Sequence, residues 1–230
     1  MPESSIKLSP LHEIARDLEA TFTDVDHWRM PERFAGVEIE TTSATTGVVL
    51  FDETAKGRIQ VEGDASDTVL TSAFTLPNLE VGAGTHHDGT NVVRLRQDLF
   101  YLSVPPGAEA ETIEKVRAQA NGSLVTATDI TDGRTAIRVI GPDAPTLMSK
   151  VCGLDFSEPS FPDGHARQSS VARTNQLIIR NDLGGNPAYS LVGSRSLGAY
   201  LWSVLMEAGA EWDIRPIGRS AHHELEKSTT

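Results

Sequence analysis

Two stretches of the chain repeat one another, and this constrains the fold more than any other feature. Residues 52–70 read DETAKGRIQVEGDASDTVL and residues 129–148 read DITDGRTAIRVIGPDAPTLM. Each starts with an acid, passes through Gly-Arg into an alternating apolar run, and reaches a glycine and then Asp-Ala at the head of a helical pattern. The Gly-Arg pairs lie 76 residues apart and the Asp-Ala pairs 79, so the second copy carries a small insertion. A strand, a glycine turn and an aspartate cap at a helix start form a physically coherent unit in each copy. The repeat predicts two pseudo-symmetric α/β halves, at residues 10–122 and 123–218, with flexible ends at 1–9 and 219–230.

Hairpin signals set the class. Residues 91–96 and 99–104 read as paired strands around a Gln97-Asp98 turn, and Pro105-Pro106-Gly107 closes the pair. A helix spans 109–121 and ends at Asn121-Gly122. Strands are expected at 124–127, 170–174 and 176–180, and an extended stretch around Trp28-Arg29-Met30-Pro31. Leu11, Ile14, Ala15, Leu18 and Phe22 sit at helical spacing behind Ser9 as N-cap and Pro10 at the first position. Interleaved helices and adjacent hairpins give an α+β fold with antiparallel sheets.

At 230 residues the chain can bury its own core, roughly 70% of the surface of the unfolded form. A formal charge of −12 argues against a nucleic-acid partner, which requires a basic footprint. No stretch approaches the roughly 20 apolar residues of a membrane span, so the location expected is cytoplasmic. Cys152 is the single cysteine, which excludes an intrachain disulfide and a cysteine zinc site, and it reads as a small buried hydrophobe.

Candidate chemistry is sparse. His86-His87-Asp88 has poor metal-ligand spacing and reads as a polar loop, with no metal expected. Gly193-Ser194-Arg195-Ser196-Leu197-Gly198 has the wrong register for a nucleophile elbow, and Ser194 or Ser196 suits the N-cap of the helix that follows. Gly141-Pro142-Asp143-Ala144 lacks the lysine of a phosphate loop.

The strongest candidate is the hairpin at Arg180. The strand Leu177-Ile178-Ile179 runs into Asp182-Leu183-Gly184-Gly185-Asn186-Pro187 and leaves through Tyr189 and Leu191. The two glycines would let backbone approach a ligand, or simply make a turn. Arg180 and Arg195 flank the hairpin and could hold a carboxylate such as the glutamyl tail of a folate, or serve as surface cations. Tyr189 and Trp202 could stack on a planar ring, or belong to the core.

These residues carry a resemblance. Asp24 to Pro31, with its Trp-x-Met-Pro, and Val48-Val49-Leu50-Phe51-Asp52 followed by residues 57–65, resemble the opening segments of the glycine-cleavage T-protein (aminomethyltransferase) family. Thr128-Asp129-Ile130, Ile140-Gly141-Pro142-Asp143-Ala144, Leu154-Asp155-Phe156, Phe161-Pro162-Asp163-Gly164 and Arg195-Ser196 through Trp202 are more similar to one branch, the gamma subunit of heterotetrameric sarcosine oxidase. The resemblance spans roughly residues 9–215.

It implies a T-protein-like folate-binding fold with tetrahydrofolate at its centre and an aspartate assisting one-carbon transfer. Asp88 is the one acid in the corresponding loop and a weak catalytic candidate, without a match to that aspartate. After the arginine the family has Tyr-Thr-Gly-Glu, whose glutamate binds the pterin; here Asn181-Asp182-Leu183-Gly184-Gly185-Asn186 follows Arg180, so the glycines survive and the glutamate does not. Arg180, Asp182, Gly184, Gly185, Tyr189 and Arg195 are therefore candidates for a degenerate folate site or an interface. The expected function is a non-catalytic, gamma-like subunit of a flavin amine oxidoreductase complex in folate-linked demethylation. It would bind no cofactor tightly itself, tetrahydrofolate at most, with FAD, FMN and NAD on larger flavoprotein partners. The alternative is a stand-alone tetrahydrofolate-dependent aminomethyltransferase or demethylase.

Overall fold

A computed structural model describes residues 5–87 and 89–228. The chain opens with β1 (Lys7–Leu8), α1 (His12–Asp17), β2 (Thr21–Val25), β3 (Trp28–Arg33) and α2 (Val37–Thr46). The first copy of the repeat follows as β4 (Val49–Asp52), β5 (Gly57–Glu62) and α3 (Ser66–Phe74). Next come β6 (Gly84–His87), β7 (Thr90–Arg96), β8 (Leu99–Val104) and α4 (Glu109–Ala120). The second copy is β9 (Thr126–Asp129), β10 (Arg134–Ile140) and α5 (Ala144–Val151). The chain then runs through β11 (Ala166–Val171), β12 (Thr174–Arg180), β13 (Ala188–Ser194), α6 (Gly198–Ala208), β14 (Arg215–Ile217) and α7 (Arg219–Lys227). The α+β class with antiparallel sheets read from the sequence is the one observed.

The division at 122/123 is not the one the chain makes. One compact unit comprises residues 1–55, 134–163 and 168–230, and the other comprises 56–133 and 164–167. The first contains the sheet β11-β12-β13-β10-β4-β14 and the small sheet β1-β3-β2; the second contains β6-β7-β8-β5-β9. The cause is an exchange between the two copies of the repeat. β4, the first strand of copy one, pairs with β10, the second strand of copy two, while β9 pairs with β5.

The exchanged pairs share their hydrogen bonds position by position. Asp52 lies opposite Ile137 and Asp129 opposite Ile59. Each aspartate Oδ1 accepts the N–H two residues on, from Thr54 at 3.0 Å and from Thr131 at 2.9 Å. Each threonine hydroxyl then accepts a backbone N–H of the facing strand, from Ala136 at 3.3 Å and from Arg58 at 2.8 Å. The glycines that end the second strands also correspond. Gly63 (φ 143°) and Gly141 (φ 134°) press on the backbone of Leu124 and Gly47, where a Cβ would stand 2.1 Å from a carbonyl oxygen. A side chain is excluded at both, so the glycines are steric necessities of the repeat.

The six-stranded sheet is covered on both faces, which is why its central strands read as near-continuous apolar runs. Ile137, Val139, Ile178, Tyr189 and Leu191 pack with Leu147 and Met148 of α5 and Leu201, Trp202 and Leu205 of α6. The alternate residues Val49, Phe51, Ile140 and Ala188 pack with Ala44 of α2 and Ala221 and Leu225 of α7.

Several local expectations need correction. The first helix stops at Asp17, and Phe22 lies on β2. Ser9 still accepts the Leu11 N–H at 3.1 Å, and its hydroxyl donates to Asp52 at 2.5 Å, tying the segment to β4. Asp143 precedes α5 without a side-chain cap, and α3 follows Ala65, so the repeated aspartates do not work as caps. Ser194 and Ser196 bond to each other at 3.1 Å, Ser194 just before and Ser196 within a 3-10 turn that leads into α6, so neither caps that helix. The C-terminal stretch expected to be flexible forms α7 as far as Lys227. Glycine 218 leads into it, and its N–H donates to the buried Glu40 carboxylate at 2.7 Å.

Candidate functional site

Strands β12 and β13 converge on the hairpin because Arg180 pairs with Tyr189 in register. Gly184 (φ 59°) and Gly185 (φ 74°) occupy the two left-handed positions of a tight turn, closed by reciprocal Leu183–Asn186 backbone bonds of 2.9 and 3.0 Å. This favours glycine at both. Gly184 also lies beneath α7, where an added Cβ would come 3.2 Å from Ser228 and 3.3 Å from Leu225.

Arg180 is 4% exposed. Its Nε and Nη2 donate to the two oxygens of Asp182, both at 2.9 Å, and its Nη1 donates to the Phe161 carbonyl at 2.7 Å. Glu158 adds a second carboxylate contact at Nη2. The Asp182 hydrogen bonds hold the guanidinium pKa above its ordinary value. Asp182 also accepts the Ala188 N–H, at 3.3 Å. Tyr189 is buried between Phe156 and Phe161, with ring centroids at 5.3 and 5.9 Å. Burial raises its phenol pKa to about 12 despite the nearby Arg180.

The hairpin thus brings Arg180, Asp182, Gly184, Gly185 and Tyr189 together, with the arginine held by its own carboxylate neighbours and the buried Tyr189 hydroxyl left without a hydrogen-bond partner among the described residues. Arg195 is not part of it. It follows the far end of β13, six residues beyond Tyr189 and so roughly 20 Å away at strand rise. There it stacks on Trp28, 5.5 Å from the ring centroid, and donates to the Leu8 carbonyl at 2.5 Å. The two arginines therefore cannot form one carboxylate fork. Trp202, 4% exposed, lies in the core. Asp88 lies outside the described residues. His86 and His87 belong to β6 rather than to a loop, and the ring of His86 bonds Asn91 at 2.8 Å.

A second cluster escaped sequence reasoning. On the α7 face of the sheet, Arg138 and Glu53 are 3% and 6% exposed, with Nη1 and Oε1 3.5 Å apart. Ser190, opposite Arg138 in register, donates to Glu53 at 2.7 Å. Arg138 Nη2 donates to the Asn181 carbonyl at 2.6 Å, and Nη1 lies 3.3 Å from His222 Nε2 on α7. The His222 ring stacks on Phe51 at 4.1 Å. A charge within the apolar run AIRVI was the available signal. Its partners come from three other segments and were invisible without the pairing.

The chain matches the family model of the GCVT N-terminal domain over residues 11–228 and belongs to that family. Among curated relatives it is 28% identical to an aminomethyltransferase of Saccharopolyspora erythraea, over 96% of this chain and 63% of that protein. It is also 28% identical to a probable aminomethyltransferase of Haloarcula marismortui, over 96% and 63%. The chain therefore spans less than two thirds of these relatives. Among solved structures, the glycine cleavage system aminomethyltransferase T of Bartonella henselae superposes with a TM-score of 0.84 at 20% identity, over 96% of this chain and 62% of that one. A chain of the heterotetrameric sarcosine oxidase of Corynebacterium sp. U-96 superposes with a TM-score of 0.69 at 18% identity, over 89% and 95%. These likenesses establish the T-protein-like fold. No helix among the described residues is long and apolar enough to cross a membrane.

The residues of this hairpin do not fit the pterin-anchoring role that the resemblance assigns to it. The Nε and Nη2 of its one arginine are taken by Asp182 and Glu158. Asn186 directs its amide nitrogen to the Gly184 carbonyl at 3.0 Å, and α7 backs the turn.

Proposed function

We propose that this chain is a module of a tetrahydrofolate-linked one-carbon system that transfers no one-carbon unit on its own. It would act as a non-catalytic subunit beside larger flavoprotein chains of a sarcosine-oxidase-like amine oxidoreductase. The carrying observation is the closure of the Arg180 hairpin by Asp182 and Glu158, in a turn that holds Asn186 and lacks the glutamate the resemblance leads one to expect. An arginine whose Nε and Nη2 already hold two carboxylates has its forked face occupied, and one Nη1 N–H remains beside the bond to Phe161. The sarcosine oxidase chain that superposes is matched over 95% of its length, which supports the likeness to a chain of that complex. Purification of the natively expressed protein tests the reading. A stoichiometric flavoprotein eluting with it is expected, and a chain that stays monomeric and flavoprotein-free in its own cells overturns it.

A second reading is a tetrahydrofolate-dependent aminomethyltransferase, and the names of the curated relatives favour it over the first. It needs a carboxylate beside the reacting nitrogen, for which Asp88 and Asp182 are the candidates. Asp182 is committed to Arg180, so this reading rests on Asp88.

A further inference from the structure

The repeat makes each unit a template for the other, and one position filled in the first is open in the second. In the six-stranded sheet, β4 is flanked on its outer side by β14, which runs parallel to it with Arg215, Pro216 and Ile217 beside Val49, Leu50 and Phe51. The counterpart of β4 is β9, since Asp129 corresponds to Asp52. β9 closes the five-stranded sheet, and no strand among the described residues pairs with its outer side.

Hydrogen-bond parity shows what that edge offers. Ile130 donates its N–H to the Arg58 carbonyl at 2.9 Å, so Ile130 and Arg58 are a hydrogen-bonded pair. Alternation along the antiparallel ladder turns the Thr128 backbone toward β5 and the Ala127 N–H and C=O outward. The same count from Glu53, whose N–H donates to Ala136 at 3.0 Å, turns Leu50 outward, and Leu50 is the residue that β14 engages. Thr126, Thr128 and Asp129 are exposed, and Leu124, just before the strand, is 94% exposed. Asp129 puts a carboxylate at one end of the edge, while Glu62, across the ladder from Thr126 on β5, is paired with Arg96 at 2.6 Å.

We propose that the outer edge of β9 accepts an extended segment of a partner polypeptide, parallel to β9, with a basic residue beside Thr126 and apolar residues beside Ala127 and Thr128. The segment would repeat what Arg-Pro-Ile does for β4, and main-chain bonds to Ala127 would supply the affinity. Natural sheets usually cover or blunt such an edge, and β14 covers the equivalent one here. The inference stands on the repeat and is independent of the one-carbon reading.

The probe is a capped synthetic peptide with the sequence of residues 213–218, DIRPIG, added at millimolar concentration to the full chain during amide hydrogen exchange. Exchange of the Ala127 N–H is expected to slow about 10-fold. The effect should vanish with a peptide N-methylated at its second isoleucine, because the bond to the Ala127 carbonyl is lost while the protein is unchanged. Unchanged exchange at Ala127, or protection that persists with the methylated peptide, overturns the proposal. So does protection that rises with protein concentration without peptide, because the occupant would then be a second copy.

Discussion

Arg180 and Asp182 face each other across two parallel hydrogen bonds, Nε to Oδ1 and Nη2 to Oδ2, both 2.9 Å. They lie two residues apart at the mouth of the hairpin, so the strand's own continuation neutralises the arginine. This relationship separates a closed turn from a ligand site. Asp182→Ala should lower stability by about 1.5–3 kcal/mol, the scale of a charge-assisted hydrogen bond. Urea melts check it, and a loss below about 0.5 kcal/mol would mean that the pair contributes nothing to closure.

Tyr189 sets a pH dependence. Its phenol pKa is raised to about 12 by burial, against about 10 in an unfolded chain. Between these values the folded state holds a proton that the unfolded state releases. Stability should therefore fall as pH rises from about 10 to about 12, by up to about 1.4 kcal/mol per unit. Tyr189→Phe should flatten that slope, and urea melts across this pH range check it.

The duplicated threonines should behave alike. Thr54 and Thr131 are 0% and 3% exposed and make the same two bonds in opposite copies. Replacing either with valine keeps the shape and leaves a buried N–H of the facing strand unpaired, at a cost of about 1–3 kcal/mol. Serine should restore most of it. Thermal denaturation of the four variants is the measurement, and a loss confined to one copy contradicts the equivalence.

The buried pair under α7 should show strong coupling. Arg138→Met leaves Glu53 buried beside Ser190 and should cost about 3–5 kcal/mol. The double variant Arg138→Met with Glu53→Leu should recover most of that loss, because apolar replacement of a buried ion pair is often neutral. A double-mutant cycle checks it, and additive losses would show that the two charges do not act as a pair.

Much of this fold was legible because its signals are local. The strands around Gln97-Asp98, the helix closed by Asn121 and the repeat itself lie in short windows, where periodicity and turn residues suffice. What failed was long-range. The exchange of β4 and β9 between copies leaves no mark in either copy's sequence, so the cut at 122/123 missed the interleaved units. Residues 219–227 looked frayed because Arg219, His223, Glu224 and Lys227 dominate the composition. Ala221, His222 and Leu225 nevertheless occur at helical spacing and are buried. At the candidate site, the sequence paired Arg180 with Arg195 because both flank one hairpin. The strand between them holds them apart, and the partner that matters for Arg180 is Asp182.

Calorimetric titration of the purified chain with tetrahydrofolate bears most directly on the central claim, that a hairpin closed by its own ions carries no folate chemistry unaided. The account expects no heat of binding at millimolar ligand, for the wild type and for Asn186→Ala alike. Micromolar binding that is lost in Asn186→Ala or Asp182→Ala would contradict it.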